Sequence, residues 1–260
     1  MNTQQDISKV TIVQLTDSHL GSREDYLVRS VNTLESLFRV AKKAALEEYD
    51  FVACTGDISD IGTKDSYIQF LKLVNKTNLN NVFCVPGNHD DTANMESVLG
   101  KEFIKKRLFS QNWLFLTINT HVPNQNYGYI SSDQIEQLMQ SIQTNPDRFV
   151  SIFMHHHTVP VNSSWIDKSM LRNADEFITT IQSYSNVRAV VCGHVHQDYR
   201  VKHGHISFIC SPSTCMQFKR LQHEFCLDSL PPAYRMLYFH SNGKVSTEVK
   251  YIEPFSTLRK

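Results

Sequence analysis

Five short apolar runs each end in a polar cluster, and that repeated step constrains the fold more than any other feature of the chain. TIVQLT (11–16) leads into Asp17-Ser18-His19, and FVACT (51–55) into Gly56-Asp57. VFCVP (82–86) is followed by Gly87-Asn88-His89-Asp90, and FVSIFM (149–154) by His155-His156-His157. VRAVVC (187–192) ends in Gly193-His194-Val195-His196. Runs this short, apolar and β-branched predict strands, and WLFLTINT (113–120) adds a buried one. Amphipathic segments lie between them. Leu27, Val31, Leu34, Phe38, Ala41 and Ala45 form one helical stripe over 25–49. SYIQFLKLV predicts a short helix. Ile135, Leu138, Met139 and Ile142 follow helical spacing behind a capping box, Ser131-x-x-Gln134. Residues 173–185 predict another helix, with Asn173 and Glu176 at its start.

After about residue 204 the helices stop. HISFIC, YRMLYFH and KVSTEVKYI read as strands, and Ser241-Asn242-Gly243 joins the last two, Asn-Gly being a strong hairpin signal. The expectation is an α/β fold with two sheets or one mixed sheet. It spans one domain, 1–260, with a β-rich C-terminal part, because no linker interrupts the pattern.

Lys plus Arg and Asp plus Glu number 26 each, so the net charge is zero. That balance argues against a large non-specific nucleic-acid surface. The start, MNTQQDISKV, lacks the build of a signal peptide, and no run approaches the roughly 20 apolar residues of a membrane span. The reading is a cytoplasmic protein with no membrane or nucleic-acid partner. None of the six cysteines forms a C-x-x-C pair. Cys54, Cys84, Cys192 and Cys210 end apolar runs and read as small buried hydrophobes rather than disulfides.

In open α/β sheets, sites form in the crevice beyond the carboxyl ends of the strands, so the five clusters should meet there. Asp and Asn oxygens mixed with imidazoles suit a pair of Mn, Fe or Zn ions better than Ca or Mg. In D-x-H and H-x-H, residues two apart on an extended chain face the same side. The glycines before Asp57, Asn88 and His194 let the backbone turn and approach closely. Strand alternation puts His155 and His157 on one face and His156 on the other, which leaves two candidate ligands.

The order D-x-H, G-D, G-N-H-D, H, G-H-x-H resembles the calcineurin-like metallophosphoesterase superfamily over residues 11 to about 200. HHHTVP, SSWIDKSMLRNADEF, CGHVHQ and SPSTCMQF resemble its bacterial class III 3′,5′-cyclic nucleotide phosphodiesterases, the cyclic AMP phosphodiesterase group. The resemblance implies a two-sheet β-sandwich flanked by helices, in α/β/β/α layers. It implies a dimetal phosphodiesterase that hydrolyses 3′,5′-cyclic AMP to 5′-AMP by attack of a metal-bridging hydroxide. Asp17, His19 and His196 match ligands of the first metal, and Asp57 matches the bridge. Asn88, His155 and His194 match ligands of the second. His89 matches the catalytic group that contacts the phosphate and protonates the leaving oxygen. His19, Asp57, Asn88, His155 and His196 match residues that also face the substrate.

The implied cofactors are two divalent ions per chain, Fe or Mn or both, and the implied partner is a small cyclic nucleotide. The pattern aligns its single histidine ligand with His155. His156 is then expected to pack or hydrogen-bond behind it, and His157 to line the substrate mouth. Asp90 or Asp91 is the expected orienter of His89. Arg172 reads as a phosphate contact or, by preference, a solvated helix start, and Phe218 as a stacking partner for adenine or, by preference, a core residue. Two rival readings are a broader phosphoesterase on other nucleotides, phospholipids or phosphoproteins, and a non-catalytic scaffold. Against the scaffold stands the complete set of ligand positions.

Overall fold

The computed structural model describes residues 8–252. Its first half runs β1 (Lys9–Leu15), a small hairpin of β2 (Leu27–Val28) and β3 (Val31–Asn32), α1 (Thr33–Ala44), β4 (Phe51–Thr55), α2 (Lys64–Thr77), β5 (Val82–Val85) and α3 (Thr92–Leu99). Next come β6 (Arg107–Ser110), β7 (Trp113–Thr117), α4 (Ser132–Gln143), β8 (Phe149–Phe153), α5 (Ser164–Asp167), α6 (Ala174–Gln182) and β9 (Val187–Cys192). The last strands are β10 (Tyr199–His203), β11 (Ile206–Cys210), β12 (Ala233–His240) and β13 (Val245–Tyr251).

Two large sheets result. One has the order β13-β12-β1-β4-β5, the other β10-β11-β9-β8-β7-β6. In the first, β1, β4 and β5 are parallel, and β12 and β13 add antiparallel neighbours. In the second, β11, β9, β8 and β7 are parallel between antiparallel edges β10 and β6.

Side-chain alternation explains the layers. On β1, Val10 and Ile12 join Phe83, Trp113, Phe115, Phe153, Val191 and Phe239 in a core between the sheets. Val13 and Leu15 face the other way, into a core with Leu37 and Val40 of α1 and Phe70 and Leu73 of α2. On the second sheet, Val150, Ile152 and Val190 pack against Leu138 of α4 and Phe177 and Ile181 of α6. The result is the expected α/β/β/α sandwich. Its middle is aromatic: Phe115 meets Phe239 edge to face at 4.9 Å, and Phe83 meets Phe153 at 5.2 Å. Gln14, fully buried, donates to Thr55 Oγ1 and to Cys192 O, tying the two sheets together directly beneath the strand ends.

Several elements differ from the sequence expectation. Residues 25–32 form no helix; they hold the β2–β3 hairpin, and α1 starts only at Thr33, capped by the Asn32 side chain. The capping box at Ser131 and Gln134 is present, and the 241–243 hairpin turns at Gly243 with φ 79°. Asn173 makes no side-chain cap for α6 and instead bonds the backbone of Ile130. Cys54, Cys84, Cys192 and Cys210 are buried free thiols, as expected. Among the described residues, no helix is long and apolar enough to cross a membrane.

Candidate metal centre

The parallel register of β1 and β4 ends with Leu15 opposite Cys54, so the loops carrying Asp17 and Asp57 leave the sheet side by side. They stay zipped together beyond it: Asp17 N–H donates to Gly56 O, His19 N–H to Asp57 O and Leu20 N–H to Ile58 O. Asp17, His19, Asp57, His194 and His196 all have positive φ, between 47° and 70°. That region costs a non-glycine residue roughly 1–2 kcal/mol, so the surrounding structure holds this strain at the site. The D-x-H and H-x-H pairs therefore do not face one side because the chain is extended. They do so because both members of each pair adopt the left-handed conformation.

Glycine is required where the loops crowd. A Cβ on Gly87 would lie 2.1 Å from Asp57 Oδ1, and one on Gly193 2.1 Å from Thr16 Oγ1. Gly56 combines φ +97° with a Cβ position only 2.2 Å from His155 Nδ1.

All the predicted ligand residues converge. Asp17, His19 and His196 bring ligand atoms within 4.8 Å of one another, as do Asp17, Asp57 and His155. His155 Nε2 lies 3.3 Å from Asp57 Oδ2, 3.1 Å from Asn88 Oδ1 and 3.2 Å from His194 Nδ1. His196 Nε2 lies 3.3 Å from Asp17 Oδ1 and 3.3 Å from His19 Nε2.

The far side of each ring decides what these atoms are. His19 Nδ1 donates to Asp60 Oδ1, His196 Nδ1 to Met216 O, and His155 Nδ1 to Thr55 O. Once its second proton is lost, as cation binding requires, each ring presents a lone pair at Nε2. Lone pairs of His19 and His196 face each other, and that of His155 faces two oxygens. Such a set of acceptors repels itself unless a cation lies among them, so the donor set fits metal ions. The electrostatics agree. Burial disfavours the charged imidazolium of His155, yet the Asp57 carboxylate outweighs it and lifts the group to about 9. Burial opposes ionisation of Asp57, but His155, His89 and His19 outweigh it and hold the carboxyl well below its usual range. Burial, then the neighbouring histidines, press His194 well below its ordinary value, leaving it neutral.

The two oxygens of Asp57 have different surroundings. Oδ1 accepts the His89 N–H, while Oδ2 alone faces both histidine sets, 3.3 Å from His155 and 3.8 Å from His19. His89 stands at the rim, its ring edge-on to His19. Its Nδ1 lies 2.8 Å from Asp60 O, and its side chain is partly exposed. Asp90 and Asp91 do not orient it. Buried Asp90 accepts backbone N–H groups of Gly87, Ile58 and Ser59, and Asp91 caps α3. Asp60 was missed by sequence reasoning. It holds both His19 and His89 and accepts the Tyr26 hydroxyl. Its only signal is its place three residues after Asp57 in the same loop.

The three consecutive histidines take different places, although His156 also brings a ring nitrogen within 4.8 Å of ligand atoms of His155 and His194. His155 enters the cluster, and His156 lies behind it with Nδ1 2.7 Å from Thr120 Oγ1. His157 does not line the mouth. It is fully buried, bonded to Asp167 and stacked on the His194 ring. Strand alternation does not apply to these residues because β8 ends at Phe153. Arg172 lies over the Tyr127 ring and joins none of the metal-competent groups. Phe218 is not core either: it stacks on His196 at 3.9 Å and 7°.

A family model described as calcineurin-like phosphoesterase matches residues 10–198, and the chain belongs to that family. Over 249 residues it is 33% identical to a 3′,5′-cyclic adenosine monophosphate phosphodiesterase, CpdA, of Haemophilus influenzae, covering 94% of this chain and 90% of the relative. It is 32% identical over 251 residues to a 3′,5′-cyclic-nucleotide phosphodiesterase of Nostoc sp., covering 95% of this chain and 94% of the relative. The crystal structure of a dimetal phosphatase from Danio rerio shares the fold, with a TM-score of 0.67 at 15% identity, covering 94% of this chain and 99% of that one.

Proposed function

We propose that this chain is a dimetal phosphodiesterase that hydrolyses 3′,5′-cyclic AMP to 5′-AMP. The convergence of lone pairs on two adjacent points carries the metal assignment: Asp17, His19 and His196 on one side, Asn88, His155 and His194 on the other, and Asp57 Oδ2 between. The names of relatives that align over nearly the whole chain support the substrate. Mixed imidazole and carboxylate donors suit Mn, Fe or Zn, and the family resemblance makes Fe or Mn our expected occupants. Asp17, His19, His196, Asp57, Asn88, His155 and His194 would hold such a pair, which would supply positive charge against the phosphoryl oxygens and acidify a bound water.

The chain's own groups do the rest. Buried second-nitrogen bonds to Thr55 O, Asp60 and Met216 O hold three rings in one tautomer and orientation. His89 gives the departing O3′ a proton from Nε2 while its Nδ1 stays on Asp60 O. O3′ remains on the ribose, so the product is the 5′-monophosphate. The free thiols among the described residues suit a reducing compartment, and we place the protein in the cytoplasm.

Turnover of 3′,5′-cyclic AMP, 2′,3′-cyclic AMP and bis(4-nitrophenyl) phosphate by one metal-loaded sample tests the substrate. The proposal expects the highest kcat/KM for 3′,5′-cyclic AMP. A clear preference for either of the others points instead to a broader phosphoesterase.

A further inference from the structure

Three loops that leave the strand ends meet beside His196, and the aromatic side chains they bring there lie outside the seven predicted ligands. Phe218, in the loop after β11, lays its face on the His196 ring. It meets Trp165 at 5.1 Å and Phe225 at 5.3 Å, and Trp165 meets Phe225 at 5.1 Å, all with ring planes steeply crossed. Trp165 comes from α5, in the loop after β8. From the third direction, after β1, the Arg29 guanidinium lies 4.4 Å over the Phe225 ring.

Two observations mark this as more than packing. Arg29 and Ser30 form the turn of the β2–β3 hairpin with φ 48° and 68°, a conformation that usually takes Asn-Gly. The chain therefore accepts strain to present an exposed arginine at this place, as binding sites often do. The Trp165 indole N–H is also buried without any hydrogen-bond partner, which is unusual for a donor of that strength.

We propose that Arg29, Phe225 and Trp165 form the base subsite of the phosphodiesterase, gripping the purine of the nucleotide by stacking while the phosphate lies on the metal centre. The inference rests on the phosphodiesterase reading above. The inner face of Phe218 is taken by His196, so Phe218 spaces the subsite from the metals and does not itself stack on the base. Arg29 is planar and exposed, so a purine ring can lie against the guanidinium face or take its place over Phe225. Both arrangements use the π-face of the base, so the subsite favours purines without strict discrimination between adenine and guanine.

Removing one stacking partner of a base lowers affinity by roughly ten-fold or more. The test compares 3′,5′-cyclic AMP with 1-O-methylribose 3′,5′-cyclic phosphate, which lacks the base, on metal-loaded wild type, Arg29→Ala and Phe225→Leu. Wild type should prefer cyclic AMP, and each variant should lose about ten-fold of that preference, expressed chiefly in KM. Thermal unfolding of each metal-loaded variant is measured alongside and should match wild type, so that an equal loss on both substrates then reports a charge effect and not a folding defect.

Three results overturn the subsite and leave the phosphodiesterase reading standing. Wild type could turn over both substrates equally well. The variants could keep the full preference. Arg29→Ala could weaken both substrates equally, which would make Arg29 a phosphate-steering charge. A wild type that hydrolyses neither substrate sinks the functional reading itself, and the subsite with it.

Discussion

Gly56→Ala places a methyl group where the account says none can go. The new Cβ would lie 2.2 Å from His155 Nδ1, and ordinary contact begins at 3.4 Å, so the ring must retreat by the difference of 1.2 Å. Retreat is blocked. Nδ1 is bonded to Thr55 O, and the rings of His156 and His194 lie 4.9 and 5.0 Å away, centroid to centroid. On the other side, Gly87 Cα would lie 2.9 Å from the same Cβ. Metal–ligand distances tolerate only about 0.2 Å, so a displaced His155 no longer serves the second cation. Disturbing the support of a single ligand ring already costs about 10–100-fold in metal affinity, and displacing the ligand itself should cost the second ion at least that. The backbone adds its own term, about 1–2 kcal/mol for alanine at φ +97°.

Gly204→Ala separates the two effects. It too has positive φ, 61°, but its nearest neighbour would be Gln182 Nε2 at 3.6 Å, far from the cluster. Metal content per chain after dialysis, with thermal unfolding of the stripped proteins, gives the comparison. Gly204→Ala should lose only stability, whereas Gly56→Ala should retain one tightly bound ion. Two tightly held ions in Gly56→Ala, with no more destabilisation than Gly204→Ala, would refute the packing argument.

His89→Ala should keep both ions and lower kcat by about 10²–10⁴-fold, since only the proton donor is lost; unimpaired kcat in a metal-replete sample removes that role. Asp60→Asn removes the charge beside His19 and should weaken the first ion by about 10–100-fold, read by competition with a metal-binding dye; unchanged affinity would show that Asp60 does not act through His19. Burial disfavours the His155 imidazolium but Asp57 lifts the group to about 9, so below that pH a cation must displace a proton. Apparent affinity for the second ion should therefore rise about ten-fold per pH unit from 6 to 8 and level off above about 9, and a flat profile contradicts it.

The inner strands β1, β4, β5, β8 and β9 were legible because each is a short apolar run buried along almost its whole length, and the chemistry sits where each run stops. The edge strands β6 and β10 were not, since their exposed residues break the apolar signal. The β2–β3 hairpin was hidden for a different reason. Its turn is Arg29-Ser30, which carries no glycine, and Leu27 and Val31 fall by chance on the helical stripe of α1. All seven predicted ligand residues converge in the structure, because residue type and order carry that information. Backbone conformation does not show in composition, so the left-handed Asp and His residues came only from the structure. Asp60 resembles any loop carboxylate until its bonds to His19 and Tyr26 are seen. His157 was misplaced because alternation was extended past the end of β8.

Adding Fe or Mn back to metal-stripped protein while following 5′-AMP release from 3′,5′-cyclic AMP tests the central claim most directly. The account predicts no turnover without metal and full turnover only as the second equivalent per chain binds. Undiminished hydrolysis by the stripped protein, or full activity at a single equivalent, would contradict a two-ion centre built on Asp57.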